Sequence, residues 1–244
     1  MVSIFAPTRA LFRATLPLTL CPMDEVVGRV PALSPESLAH VLKGKLALVV
    51  GGTRGIGHAI TQLLLAAEAE VTVVGRSATP PTGIAADLFS VEGCERLVAA
   101  LRERVTRPID IVVLTVGAWP SRTNAHAANG VHKVVALDLV ARHVVLTGLA
   151  AADLLAPSCR VMSVLAASQA YPRVLVDAES VQRSLERACV DVPPATSSLV
   201  GGFSTMFHTA LAHDAWLRHI GTRHPGLILM STFPGILATD VVGS

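Results

Sequence analysis

Residues 45–67 read KLALVVGGTRGIGHAITQLLLAA, and this stretch decides the fold. Its first six residues are rich in Leu and Val, which predicts a short buried strand. A glycine-rich turn follows at once, and from Ile56 to Ala67 apolar residues recur at the spacing of a helix face. A strand that passes through a tight turn into a helix is the opening unit of a chain in which strands and helices alternate.

The rest of the chain continues this alternation. Strands are predicted at 71–75, 84–87, 109–114, 161–165 and 227–232, and helices at 34–43, 91–105, 130–155, 177–190 and 203–220. This order predicts a doubly wound α/β domain, in which one parallel sheet lies between two layers of helices in an α/β/α arrangement. Ligands of such sheets bind where the carboxyl ends of the strands meet, so we expect the functional residues along that edge.

Composition agrees with one large domain and excludes several function classes. Of the 244 residues 51% are hydrophobic and 16% charged, which suits a sheet buried on both faces. The net charge of +2 provides no basic field, so we expect no nucleic-acid partner. The four cysteines form no CxxC pair and the histidines within 208–224 do not stack on one helix face, so no metal site is predicted. Charged residues interrupt the apolar runs between 134 and 152, so we expect no transmembrane segment.

We expect residues 1–44 to form an N-terminal arm ahead of an α/β domain at 45–244. The segment 1–23 contains Arg9 and Arg13, several Ser and Thr, and no acidic residue, which is the composition of an organelle transit peptide. Its prolines would interrupt the amphipathic helix of such a peptide, and the alternative is an ordinary N-terminal arm. Both a location in the mitochondrial matrix and one in the cytoplasm therefore stay open.

The glycine-rich turn predicts a site for a pyrophosphate. It contains Gly51, Thr53, Arg54, Gly55, Ile56 and Gly57. Glycine lacks a Cβ, so the backbone can approach an anion that sits at the N-terminus of the following helix. The alternative is that the glycines only allow the helix to pack closely on the strand.

The spacing of this turn resembles the TGxxxGxG segment of the short-chain dehydrogenase/reductase family, with Val50 where that family usually has Thr. The resemblance runs from about Lys45 to Thr239. It implies a Rossmann fold, a nicotinamide dinucleotide as cofactor and the oxidation or reduction of a small carbonyl or alcohol substrate.

Two arginines indicate which dinucleotide binds. Arg54 lies inside the turn and Arg76 follows the second strand, where an NAD-selective site would place a carboxylate on the ribose. Two guanidinium groups that converge there can bind a 2′-phosphate, which predicts NADP as the cofactor. The alternative for each arginine is a solvated surface charge.

Further cofactor contacts are implied by the resemblance. Asp87 stands where the family contacts the adenine ring, although an Asp at a strand end is also a common turn former. Gly117 is what remains of an Asn-Ala-Gly segment after the fourth strand. Pro234, Gly235 and Thr239 match the PGxxxT segment, whose Thr meets the nicotinamide carboxamide in the family.

The catalytic residues of the family are replaced in this chain. The expected Asn falls at Asp138, the Ser at Ala166, and the Tyr and Lys at Ser204 and His208. Ser204 and His208 are four residues apart, so they share a helix face and predict a hydroxyl donor assisted by an imidazole. The alternative is that they are ordinary polar residues of a helix.

Two hypotheses follow for the function. In the first, the chain is an NADP(H)-binding reductase-like protein with a degenerate catalytic set. In the second, it is a pseudoenzyme, a non-catalytic subunit of a larger assembly that retains a nucleotide site, and this assembly would be mitochondrial if residues 1–23 are a transit peptide. The family has a seventh strand after PGxxxT that is not recognisable here, so we expect an exposed sheet edge. The arm or a partner chain would cover it, which favours a homo-oligomer or a subunit of a larger complex.

Overall fold

The computed structural model describes residues 34–119, 126–165, 182, 186 and 199–232. The helices are α1 (Pro35–Leu42), α2 (Gly55–Ala66), α3 (Val91–Arg104), α4 (Lys133–Ala151) and α5 (Leu199–Arg223). The strands are β1 (Leu46–Val50), β2 (Glu70–Gly75), β3 (Gly83–Ala85), β4 (Ile109–Leu114), β5 (Leu155–Val164) and β6 (Ile228–Thr232). The predicted alternation of strands and helices is confirmed.

All six strands form one parallel sheet in the order β3-β2-β1-β4-β5-β6. The chain winds outward from β1 in one direction through β2 and β3, and in the other through β4, β5 and β6. The order reverses between β1 and β4, which is the switch point where a crevice opens at the carboxyl ends of the strands. The predicted doubly wound α/β fold is confirmed.

The core has one layer on each face of the sheet, because successive side chains of a strand point to opposite faces. Leu48 and Val50 of β1 pack into the larger layer, whose other members include residues of α3, α4 and α5. Ala47 and Val49 pack into the smaller layer, together with Leu64 of α2. The central strand β1 is therefore buried on both faces, as its run of apolar residues predicts.

Helix α4 contains a wide turn in its middle. Residues Ala136–Ala141 form a π-helical segment between the α-helical pieces Lys133–Val135 and Arg142–Ala151. Such segments are rare and are frequent at functional sites. This segment places Asp138 and Arg142 near the carboxyl end of β4, as described below.

Helix α4 is also long and apolar enough to cross a membrane by length and composition, with a mean hydropathy of 1.7 over its apolar window. From its charged residues we expected no transmembrane segment, but the helix still has the length and mean hydropathy of one. In the structure 56% of that window is buried, and the helix packs between α3 and α5 against the sheet. Burial in the core accounts for its apolar composition.

Several element bounds differ from the prediction. The long fourth helix ends at Ala151, because Asp153 adopts a left-handed conformation with a φ of 54° that turns the chain. Strand β5 begins at Leu155 and pairs there with Ile109, six residues before the predicted start. The helix predicted at 177–190 lies outside the described residues except for positions 182 and 186, both of which are helical.

Within the described residues β6 is an edge strand, paired on one side with β5. Two of its large apolar side chains, Ile228 and Met230, are 44% and 45% exposed. They point away from the face on which Leu229 packs into the larger core layer. Within the described residues, the β6 edge of the sheet therefore exposes apolar side chains on one of its two faces.

Candidate functional site

The glycine turn after β1 has a backbone that other residues could not adopt easily. Gly51 and Gly55 have positive φ values of 95° and 51°, which favour glycine. A Cβ added at Gly51 would lie 2.6 Å from the Val116 amide nitrogen, and one added at Gly57 would collide with the Gly51 carbonyl oxygen. Close packing of the turn therefore requires Gly51 and Gly57.

The N-terminus of α2 gives the same turn a second property. Its N-cap residue, Arg54, makes no side-chain capping bond to any described residue, and the first turn holds no acidic residue. Helices α1 and α3 differ, because Ser34 and Ser90 cap them and an acidic residue lies in each first turn. The N–H groups and positive dipole end of α2 therefore face the switch point with no capping side chain among the described residues, which suits a phosphate.

The turn also lies directly against the end of β2. A Cβ added at Gly75 would lie 2.7 Å from both the Thr53 Oγ1 and Cγ2 atoms. Only a glycine at position 75 leaves room for Thr53, and Arg54 and Arg76 are the residues that directly follow these two in the chain. Both arginines are exposed, and neither pairs with an acidic residue in the described part of the chain.

An aromatic ring and a third cation lie beside Arg76. Its guanidinium carbon is 5.9 Å from the centre of the Phe89 ring, and the Lys133 ammonium is 5.6 Å from the same centre. Asp87 is exposed, and its Oδ1 atom accepts a hydrogen bond from the Phe89 amide at 3.1 Å. This bond closes the turn that presents Phe89, so Asp87 has a local structural role at the position predicted for adenine binding.

Asp138 lies below the loop that follows β4. Its side chain is buried, and its Oδ1 atom accepts a hydrogen bond from the Ala118 amide at 3.3 Å. A Cβ added at Gly117 would lie 2.9 Å from the same oxygen, so Gly117 allows the carboxyl group to approach the backbone. Burial raises the pKa of Asp138 to about 7, although the charge of Arg142 and the bond from Ala118 act to lower it.

Arg142 is the functional candidate that the sequence analysis missed. It is 1% exposed, and its guanidinium donates hydrogen bonds to the Ser163 hydroxyl, to the Val116 carbonyl at 2.6 Å and to the Val164 carbonyl at 2.9 Å. Burial lowers the pKa of Arg142 to about 10, so it keeps its charge at neutral pH. The sequence signal was a charged residue inside an apolar helix, four positions after Asp138.

His213 of α5 extends this buried network. Its Nε2 atom lies 3.0 Å from the Ser163 hydroxyl oxygen, and the side chain is fully buried. Burial lowers the pKa of His213 to about 4, so the imidazole is neutral at physiological pH. His213 therefore connects α5 to the end of β5 as a neutral hydrogen-bonding group.

The predicted catalytic pair, Ser204 and His208, lies on α5. The helix contains both Ser204 and His208, which confirms that they share a helix, and the Ser204 side chain lies outside the described atoms. Pro234, Gly235 and Thr239, like the segment around Ala166, also lie outside the described residues. Within the described residues, no group of three or more His, Cys, Asp and Glu side chains could hold a metal ion.

Comparisons with known proteins agree with the geometry. A family model described as short chain dehydrogenase matches residues 45–169. The rhamnolipids biosynthesis 3-oxoacyl-(acyl-carrier-protein) reductase of Pseudomonas aeruginosa is 37% identical over 112 residues, which cover 40% of this chain and 43% of that protein. The chain spans less than half the length of the curated relatives that it matches, 43% and 45%.

Two solved structures have a similar fold. The 3-alpha-hydroxysteroid dehydrogenase from Pseudomonas sp. B-0831, complexed with NADH, has a TM-score of 0.60 at 25% identity and covers 82% of this chain and 75% of its own. The Pseudomonas aeruginosa RhlG/NADP active-site complex has a TM-score of 0.60 at 23% identity, with coverage of 86% and 78%.

Proposed function

Because the chain belongs to the short-chain dehydrogenase family, we propose that it binds NADP(H) at the carboxyl edge of the sheet and is a carbonyl or alcohol oxidoreductase. The observation that carries this proposal is the uncapped N-terminus of α2, with Arg54 and Arg76 exposed beside it. An uncapped helix end binds a pyrophosphate, and the two guanidinium groups bind a further phosphate on the adenosine ribose.

The preference for NADP over NAD rests on charge. An NAD-selective site places a carboxylate at the end of the second strand to bind the ribose 2′-hydroxyl. Here that place is held by Arg76, which attracts a 2′-phosphate and has no carboxylate partner in the described part of the chain. Similar structures were solved with each of the two dinucleotides, so the fold alone does not decide between them.

A nicotinamide bound here would supply or accept the hydride, and a protein group would then have to donate or accept the accompanying proton. Asp138 lies at this edge of the sheet, and its pKa is about 7. Its carboxyl group can therefore both hold and release a proton near neutral pH. We propose Asp138 as a proton-holding group beside the reaction site. The pair Ser204 and His208 stays a prediction for direct contact with the substrate.

The binding test compares two cofactors and two variants. The fluorescence of NADPH, and separately of NADH, is followed while the wild-type protein, the Arg76→Asp variant or the Arg102→Asp variant is added. Arg102 is an exposed arginine on α3 and serves as the charge-matched control. Loss of a charge-assisted bond and its replacement by repulsion predict that Arg76→Asp weakens NADPH binding by about 100-fold, with NADH unchanged or tighter. Equal affinities of the wild type for the two cofactors would contradict the proposed selectivity.

The activity test separates the enzyme from the non-catalytic subunit. NADPH oxidation is followed with small ketones, aldehydes and 3-oxoacyl thioesters, the last because a relative is named as a 3-oxoacyl reductase. Turnover that falls at least tenfold in Asp138→Asn supports the proposed chemistry. Tight NADPH binding with no turnover on any of these substrates would instead favour the subunit hypothesis, for which partner chains would then be sought.

A further inference from the structure

Arg142 is an unusual residue for the interior of this fold. A buried guanidinium loses its hydration and is stable only if its donors find acceptors. Three acceptors are present, and they belong to two neighbouring strand ends: the Val116 carbonyl follows β4, while the Ser163 hydroxyl and the Val164 carbonyl end β5. One side chain from α4 therefore connects β4 to β5 where the ladder of the sheet stops.

Two side chains of α4 hold the loop after β4 by hydrogen bonds to its backbone. The Val116 carbonyl accepts from Arg142, and the Ala118 amide donates to Asp138. The π-helical segment of α4 contains Asp138 and ends just before Arg142, so one short piece of helix makes both contacts. On its other side the loop is joined to β1, because the Val116 amide donates to the Val50 carbonyl at 3.0 Å.

The position of this loop matters for the cofactor that the proposed function assigns. Arg76 follows β2 and the α2 N-terminus follows β1, so the adenosine phosphate and the pyrophosphate would lie at two successive strand ends. The next strands in the sheet are β4 and then β5, spaced about 4.8 Å apart. A dinucleotide extended along this line would carry its nicotinamide half over the ends of β4 and β5.

We propose that Arg142 is a positioning residue, which holds the 116–118 loop and the end of β5 in the arrangement that supports the nicotinamide half of the cofactor. Arg142 is buried and acts through the loop, and the reacting atoms do not touch it. The inference rests on the proposed function, since it assumes that the adenosine half binds at Arg54 and Arg76.

The test uses two ligands that share one end. NADPH spans the whole edge, whereas adenosine 2′,5′-bisphosphate carries both adenosine phosphates and no nicotinamide. Their dissociation constants are measured by calorimetry for the full chain and for Arg142→Lys, which keeps the charge and cannot bridge three acceptors. We expect NADPH binding to weaken about tenfold and binding of the bisphosphate to change less than about twofold, because a tenfold change corresponds to the loss of one hydrogen bond.

Two further variants control for stability. Val145→Ala removes two buried methyl groups from the same helix and none of the hydrogen bonds that Arg142 makes to the strand ends, so it should leave the ratio of the two affinities unchanged. If Arg142→Lys does not fold, Ser163→Ala removes a single acceptor of the guanidinium and should weaken NADPH selectively by a smaller factor, about threefold.

The outcomes distinguish this inference from the proposed function. Suppose that the wild type binds both ligands. If Arg142→Lys then weakens the binding of both ligands equally, or changes the binding of neither, Arg142 has only a structural role and the inference is overturned. If the wild type binds neither ligand, the proposed function fails and the inference fails with it. A selective loss of NADPH binding in both Arg142→Lys and Ser163→Ala supports the positioning role.

Discussion

Replacing Asp138 by Asn should change how the stability of the protein depends on pH. Asp138 is buried, and burial raises its pKa in the folded protein to about 7, while an unfolded chain gives Asp a pKa of about 3.9. Below the unfolded value the carboxyl group is protonated in both states and has no pH-dependent effect. As the pH rises from about 4 to about 7, the unfolded chain releases the proton and the folded protein keeps it, so stability is lost.

The size of the effect follows from the difference between the two pKa values. Each pKa unit corresponds to about 1.4 kcal/mol, so a rise from about 3.9 to about 7 costs up to about 4 kcal/mol of unfolding free energy. Above pH 7 the folded carboxyl group also ionises and the loss stops. Asn at this position does not titrate, and its side-chain oxygen can still accept the bond from the Ala118 amide.

The assay is urea unfolding followed by the fluorescence of Trp119 and Trp216, at pH values from about 5 to about 8. The difference in unfolding free energy between Asp138→Asn and the wild type should increase with pH in favour of the variant. Groups such as His132 and His213, whose pKa values burial lowers, titrate equally in both proteins and cancel in this difference. If the difference in unfolding free energy stayed constant between about pH 5 and pH 8, or fell as the pH rose, the raised pKa of Asp138 would be refuted.

Asp110 offers a matched control with the opposite sign. Burial acts to raise the pKa of Asp110, but hydrogen bonds from the Leu46 amide and from Lys45 and Arg107 together outweigh it and lower the pKa. A carboxylate with a lowered pKa stabilises the fold above its unfolded pKa and loses this effect as the pH falls. Asp110→Asn should therefore cost more stability at neutral pH than at about pH 3.

Two other predictions concern the packing of the glycine turn and the buried thiols. Gly75→Val places side-chain atoms where Thr53 lies, so it should weaken NADPH binding at least tenfold in a fluorescence titration; unchanged binding would show that the contact between Thr53 and residue 75 is dispensable. Burial raises the pKa of Cys94 and of Cys159 to about 12, so neither thiol should react with iodoacetamide in the native protein, as peptide mass spectrometry can show. Both should react in urea, and rapid native labelling would contradict their burial.

The fold was predictable because its signals are local. The strand–turn–helix unit at 45–67 and the apolar run of β4 each depend on residues close together in the chain. The bounds that differ, such as the early start of β5, depend on pairing with Ile109 in a distant strand. A local pattern does not contain that information, so Leu155 could not be placed in a strand from the sequence.

The candidate site was predictable in part for the same reason. Arg54 and Arg76 follow adjacent strands, at positions where the family resemblance predicts contacts with the cofactor. Both side chains are exposed in the structure. The carboxylate of Asp87 closes a turn at Phe89, which agrees with the turn-former alternative, and its contact with the adenine ring stays a prediction. The network of Arg142 was not recognised, since a single arginine in an apolar helix is compatible with many environments.

The amino-acid sequence by itself determined the order of strands and helices and the glycine turn, since hydrophobic periodicity and the lack of a Cβ act over a few residues. Only the tertiary structure decided what lies beneath the edge of the sheet. Ser163 is 21 residues from Arg142 and 50 residues from His213, and these three meet because α4 and α5 pack on the same face of the sheet beside β5. A buried charge must find its hydrogen-bond acceptors wherever the fold places them, and that placement is a property of the packed chain.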